Sequence, residues 1–279
     1  MVGRKNPFGK ACVYLLLAAF LLVFLFPMYW MVISSFKTNT ELMKLPPNFA
    51  PSVLLLQNYE RIFSNAKYLR YLLNSVIVAS ATVAVCLMAS LLAGYSLSRF
   101  RFPFRKTLMT ILLSVQMFPV VAILISLYSF FVGLKLNNTY PGLILADITM
   151  SLPLAVWMLK SFFDHVPRSL DESACIDGAG RLRTMLRIVV PLVKPGMLAV
   201  GIYTFLQSWD DYLFGLVLMN KQHLKTLPVG IAESFMGEFV HDYAGMMTMS
   251  VIASLPILLA FIFFQKYMVA GLTGGAVKE

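Results

Sequence analysis

The feature that most restricts this chain is a set of apolar stretches long enough to cross a bilayer. The first, ACVYLLLAAFLLVFLFPMYWMVIS at 11–34, contains no charged residue. A helix needs about 20 mainly apolar residues to cross roughly 30 Å of hydrocarbon. Six stretches qualify: 11–34, 72–98, 107–133, 142–160, 192–219 and 245–268. Lipid offers no water to backbone N–H and C=O groups, so a span must be a helix or part of a closed barrel, and nothing in the chain reads as barrel strands. The expected fold class is an all-α polytopic membrane protein with six transmembrane helices. Only 13% of the 279 residues are charged, about half the share usual in a soluble domain. The run at 11–34 follows Arg4, Lys5 and Lys10 as a signal peptide would. It is too long for such a segment and no small-residue cleavage site follows, so it is read as a retained helix.

Lys and Arg set the orientation. With the N-terminus inside, the inner segments hold fifteen of them and the outer segments eight. The excess predicts cytoplasmic N- and C-termini. Residues 1–10 are then a cytoplasmic N-terminus, 35–71 a long outer loop, 72–268 the core with a cytoplasmic loop at 164–190, and 269–279 a cytoplasmic tail. Within the outer loop, 46–52 is too proline-rich for a regular helix, while 56–65 suits a short surface one. A net charge of +10 in so apolar a chain marks basic loops against anionic lipid rather than nucleic acid. Cys12, Cys86 and Cys175 are not spaced for a metal site or a disulfide framework.

The inner loop carries DESACIDGAGRLRTMLRIVVPLVKPG at 171–196, a dense set of polar residues between apolar runs. Pro167 stops the preceding helix, and Ser169 with Glu172 has capping-box spacing. Gly178 and Gly180 allow a sharp turn. A second short helix would follow, with Leu182, Met185, Leu186, Val189 and Val190 on one side and Arg181, Arg183 and Arg187 elsewhere, reaching toward headgroups. Pro191 suits the first turn of the next span. Two readings are open on these residues alone: a linker lying on the membrane, and a docking knuckle that transmits a push from a soluble partner.

Glu172-Ser173-Ala174, then Gly178, Ile188 and Pro191, resembles the EAA pattern of permease subunits in binding-protein-dependent ABC importers. Ser173 stands for the first Ala of that pattern and Val190 for its Leu. The segments GYSLSRFRFPFR (94–105), NTYPGLIL (138–145), WDDYLFGLVL (209–218) and GLTGGAVKE (271–279) are similar to the carbohydrate-uptake branch, nearest the smaller maltose-system permeases. The resemblance implies a type I permease fold in a bacterial or archaeal inner membrane. Glu172, Ser173, Ala174, Asp177, Gly178, Ile188 and Pro191 would form the ATPase-coupling loop, and a tail with Gly274, Gly275 and Lys278 would touch the ATPase. The implied partners are two ATP-binding subunits carrying ATP and Mg, a second homologous permease, an extracytoplasmic solute-binding protein and membrane lipid. The implied cargo is a sugar or oligosaccharide, with a polyol or glycerol phosphate as the alternative.

The residues themselves offer no catalytic constellation. No G-x-x-x-x-G-K-[ST] phosphate cradle, H-E-x-x-H or G-x-S-x-G occurs. No catalytic residue, metal or cofactor of its own is therefore expected, and ATP hydrolysis is assigned to a separate chain. A secondary transporter would call for inverted repeats, and none is visible. Charges within spans are expensive and mark candidate function. Asp147, Asp210 and Asp211 fall in the outer half of their spans. With Asn74, Gln116, Gln207 and Trp209 they form the candidate translocation path, against the plainer reading that they cap broken helices or bind a partner permease. Pro119 and Pro153 read as packing kinks.

Overall fold

The computed structural model describes residues 7–236 and 241–273. These form two compact units, Met1–Ala66 with Ile231–Leu255 and Lys67–Gly230 with Pro256–Glu279. Ten helices organise the description: α1 Pro7–Ser35, α2 Ala66–Arg99, α3 Arg105–Ser114, α4 Val120–Gly133, α5 Tyr140–Asp164, α6 Ser169–Ile176, α7 Lys194–Trp209, α8 Leu213–Leu218, α9 Leu227–Phe235 and α10 Tyr243–Thr273. No strand occurs among the described residues. The candidate tail residues Gly274, Gly275 and Lys278 lie outside them.

Four helical segments are individually long and apolar enough to span: Cys12–Ser35, Ala66–Arg99, Tyr140–Asp164 and Tyr243–Phe263. The other two expected spans are broken. The expected run 107–133 divides at Pro119, where α3 ends in a tightened turn at Val115–Met117, Phe118 is extended, and α4 departs at 101°. Proline lacks the N–H an unbroken helix would use there. The expected run 192–219 starts after an 82° bend between Arg181–Leu192 and α7, then breaks again at Asp210–Tyr212 before α8. Irregular backbone at membrane depth is tolerated where it lines a cavity or is covered by protein, and the breaks at Phe118 and at Asp210–Tyr212 border one cavity.

In the first unit, α1 is apolar on every side and exposes its side chains from Val13 to Phe26. A helix apolar all round needs lipid or protein about it. The outer loop is held by polar bonds instead. Thr38 caps the helix Asn39–Leu42 by accepting from Glu41 N at 3.1 Å. The Glu41 carboxylate accepts from Ser52 N and Oγ at 2.8 and 2.9 Å. Asp242 accepts from Asn39 Nδ2 and Gly245 N, and pairs with Arg61 at 2.7 Å. The expected short helix in this loop runs Gln57–Phe63.

In the second unit, α2 buries Tyr71, Asn74, Ser75, Val78, Thr82, Cys86, Ser90, Gly94 and Tyr95, a stripe at helical spacing. Gly94 lets α2 approach α5 closely: a Cβ there would lie 3.1 Å from Lys160 N and 3.2 Å from Leu159 Cβ. Cys86, Ile148, Ala155, Leu159, Phe163, Val189 and Val200 form one core, and Val78, Phe131, Leu143, Ala146, Phe214 and Leu218 another. The first sits beneath the inner loop and the second near the break after α7, so each polar constellation rests on its own apolar base.

Candidate functional site

At the inner loop, α6 begins directly at Ser169, with Arg168 as the cap residue and no side-chain cap bond. The capping box expected from Ser169 and Glu172 does not form. The Arg168 guanidinium points elsewhere, donating to Ser98 O at 3.1 Å. Helix α6 closes after Asp177. Ala179 N donates to Ala174 O at 2.9 Å and Gly178 N to Cys175 O at 3.1 Å, the paired bonds of a Schellman ending. Gly178 has φ +76°, a left-handed conformation that a side chain makes costly. A short helix Arg181–Thr184 follows, passing through a π turn at Met185–Val189 to Val190–Leu192. Met185 and Val189 are buried, whereas Leu182 and Leu186 are exposed. The apolar side read from the sequence is therefore only half a packing face.

Glu172, Ser173, Asp177 and Gly178 are exposed, Ala174 is buried beneath them, Ile188 is half-buried and Pro191 is exposed. The Glu172 and Asp177 carboxylates have no side-chain partner among the described residues. Ile176 stands 87% exposed beside them, an apolar residue on a polar knuckle that the sequence reading passed over. Sequence reasoning also missed what anchors this knuckle. Tyr95 Oη donates to Asp171 Oδ1 at 2.7 Å, and Arg99 Nε lies 3.0 Å from Asp171 Oδ2. The latter is an ionic contact rather than an aligned hydrogen bond, because neither Arg99 Nε nor Asp171 Oδ2 completes one. Ser98 Oγ donates to Asp164 Oδ1 at 2.7 Å, and Arg181 lies 4.8 Å over the Phe100 ring. Helix α6 is thus bound to the end of α2 as well as to its chain neighbours. The signal available in the sequence was Tyr95 and Arg99 at i, i+4 on the last turns of a span.

On the other side of the unit, a cavity of about 480 Å³ opens where the α3–α4 break meets α5 and α7. Five candidate path residues line it: Gln116, Asp147, Gln207, Asp210 and Asp211, together with Tyr203 and Tyr212. Two do not. Asn74 is buried, donating to His223 O and Lys225 O at 3.0 and 2.8 Å and accepting from Tyr140 Oη at 2.8 Å. It straps α2 to the segment before α9. Trp209 is also buried and stacks on Phe205 with ring centroids 5.3 Å apart.

The three carboxylates differ in their bonding. Asp147 is 4% exposed and accepts from the Ser208 hydroxyl. Asp211 accepts from Phe214 N and Gly215 N at 3.1 and 2.8 Å, capping α8. Asp210 is exposed, with no hydrogen bond or ion pair among the described residues. No Lys or Arg lines the cavity. Gln116 Nε2 reaches Met150 O at 3.4 Å, and Gln207 Nε2 reaches Tyr203 Oη at 3.4 Å. The cavity wall therefore offers acceptors, amides and two phenols, the set that grips hydroxyl groups.

Comparison with known proteins adds the family. Residues 87–274 match the model of the binding-protein-dependent transport system inner membrane component. The chain is 34% identical over 270 residues to a sulfoquinovosyl glycerol transport system permease of Agrobacterium fabrum, covering 97% of this chain and 94% of that one. It is 34% identical over 266 residues to a trehalose/maltose transport system permease of Thermococcus litoralis, covering 92% of each. In fold it is similar to a chain of a bacterial ABC transporter involved in import of the acidic polysaccharide alginate, with TM-score 0.83 at 18% identity over 96% of this chain and 99% of that one. The family match and these identities together show that the chain belongs to the inner membrane components of binding-protein-dependent transport systems.

Proposed function

We propose that this chain is the transmembrane permease subunit of an ABC importer for a sugar or oligosaccharide. It would work with two ATP-binding subunits that hold ATP and Mg, a second permease and an extracytoplasmic solute-binding protein. The observation that carries the reading is α6. A two-turn helix presents an unpartnered Glu172 to solvent, is terminated by a left-handed Gly178, and is anchored on its inner side by Asp171. Such a helix can be pushed as a unit, because its inward contacts are rigid and its outward groups are free. ATP closing the partner dimer would displace α6, and the displacement would reach α2, α5 and α7 together. The solute cavity borders α5 and α7 at their opposite ends. Its lack of any cation favours a neutral sugar or polyol over glycerol phosphate.

Glu172→Ala and Gly178→Val test this in the reconstituted complex. Both should leave membrane insertion and subunit assembly intact while lowering solute uptake per ATP hydrolysed. Wild-type uptake by both variants would return the knuckle to the status of a surface linker.

A further inference from the structure

A groove of about 810 Å³ runs along α3 beside the end of α5 that leads into the inner loop, and the reading of α6 does not use it. Its two ends differ in chemistry. Arg101, Arg105 and Lys106 line one end; Met109, Leu113 and Trp157 line the other. The Arg101 and Lys106 side chains are exposed and have no hydrogen bond or ion pair among the described residues, and Arg105 makes a long contact of 3.5 Å to Phe100 O and lies within electrostatic reach of Asp164. The fourth cation, Lys160, is taken by Asp164, whose other oxygen is taken by Ser98. No acidic residue lines the groove.

We infer that this groove binds an anionic phospholipid, with the phosphate between Arg101, Arg105 and Lys106 and an acyl chain along Met109, Leu113 and Trp157. The charge at one end matches a phosphate. A soluble anion would leave the apolar end unused, and an acidic protein segment would have to lie at hydrocarbon depth to reach it. The dimension also fits. Arg105 and Leu113 are eight residues apart on α3, about 12 Å, close to half the hydrocarbon thickness of roughly 30 Å. Trp157 is 47% exposed and three residues before Lys160 on α5, in keeping with an indole at the boundary where the acyl chain joins the headgroup. Basic pockets between membrane helices on the cytoplasmic side select anionic headgroups in this way. The inference does not depend on α6 engaging an ATPase.

The test uses the intact complex extracted from its membrane, placed in nanodiscs of phosphatidylglycerol or phosphatidylcholine and stripped by graded detergent before native mass spectrometry. Retention should favour phosphatidylglycerol. Each surface cation is worth roughly a factor of five, so R101Q/R105Q/K106Q should lower that preference on the order of a hundredfold. R183Q/R187Q, at basic residues of the inner loop that do not line the groove, should retain it. If the triple variant does not assemble, R101Q/K106Q carries the same expectation at about twenty-five-fold, since both side chains are unpartnered. A lipid photo-crosslinker at Leu113 should capture phosphatidylglycerol. Equal retention of the two lipids, a preference that survives the substitutions, full reproduction of the effect by inorganic phosphate, or capture of the second permease at Leu113 would each overturn the assignment.

Discussion

The second unit handles charge in opposite ways at its two polar constellations. Near the inner loop, charges meet opposite charges: Arg99 with Asp171, and Lys160 with Asp164. Around the cavity, carboxylates meet only neutral donors, the Ser208 hydroxyl and the Phe214 and Gly215 N–H groups, and Asp210 meets nothing. A paired charge is locked in place. Removing one partner leaves an uncompensated ion, so the geometry has little freedom. A carboxylate bonded only by neutral groups keeps spare lone pairs available. Under the proposed function, the difference separates a part built to move rigidly from a part built to bind the solute.

The most forceful way to break this comparison is Arg99→Ala. The Arg99 side chain is 7% exposed and that of Asp171 20%, so its loss strands a largely buried carboxylate. The expected cost is about 3 kcal/mol, visible as a lower melting temperature of the assembled complex. Asp171→Asn should cost less, because Asn still accepts from Tyr95, but it should lower uptake per ATP. Arg99→Leu with Asp171→Leu sharpens the point. Apolar replacement of both partners is often close to neutral, so the double variant should be more stable than Arg99→Ala. If it is equally unstable, packing rather than charge holds α6 to α2.

Asp211→Ala comes next in size. It removes the carboxylate whose two oxygens accept from Phe214 N and Gly215 N in the first turn of α8, a loss of about 1 kcal/mol by capping precedent. Thermal denaturation should detect it. A neutral result would mean that water satisfies those donors, and that Asp211 belongs with Asp210 as a free group.

Asp210→Asn should do the reverse, leaving stability within about 0.5 kcal/mol while changing transport. A charged acceptor is worth roughly 1 kcal/mol more than a neutral one, so uptake at low solute concentration should fall about fivefold. Unchanged uptake would take Asp210 out of the path.

Much of this molecule was legible because lipid imposes a strong period. The apolar runs located the long helices but not α9 at Leu227–Phe235, and the EAA spacing pointed to the exposed turn at Glu172 and Gly178. What was not legible follows from tertiary geometry. Pro119 read as a kink, yet it ends α3 and sends α4 off at 101°, because the broken backbone faces a cavity rather than lipid. Asn74 and Trp209 had the chemistry of a sugar site, but one is consumed by two carbonyls and a tyrosine and the other by stacking on Phe205. A polar residue in a span announces that it has a partner, not which one. Asp171 was hidden for the converse reason: it sits beside Glu172 in sequence but turns inward while Glu172 turns outward.

The smallest expected effect lies in the first unit, where Arg61 pairs with Asp242. Burial alone would raise the Asp242 carboxyl, but the Gly245 N–H, the Asn39 amide and the Arg61 guanidinium outweigh it and hold it below its ordinary range. Glu41 is held below its range too, first by the Ser52 N–H. A carboxyl that is easier to ionise in the folded state adds stability above its unfolded pKa of about 4. That contribution disappears as the pH falls through the lower folded value. Arg61 is half exposed, so the Arg61–Asp242 pair should contribute under about 1 kcal/mol. The loop's own bonds should therefore loosen only below about pH 4, read as faster limited proteolysis at 35–65 on acidification. Asp242→Asn should flatten that dependence without altering uptake per ATP. If it instead changed coupling as Asp171→Asn should, charge pairing would no longer distinguish the coupling end, and rigidity would have to be a property of the whole chain.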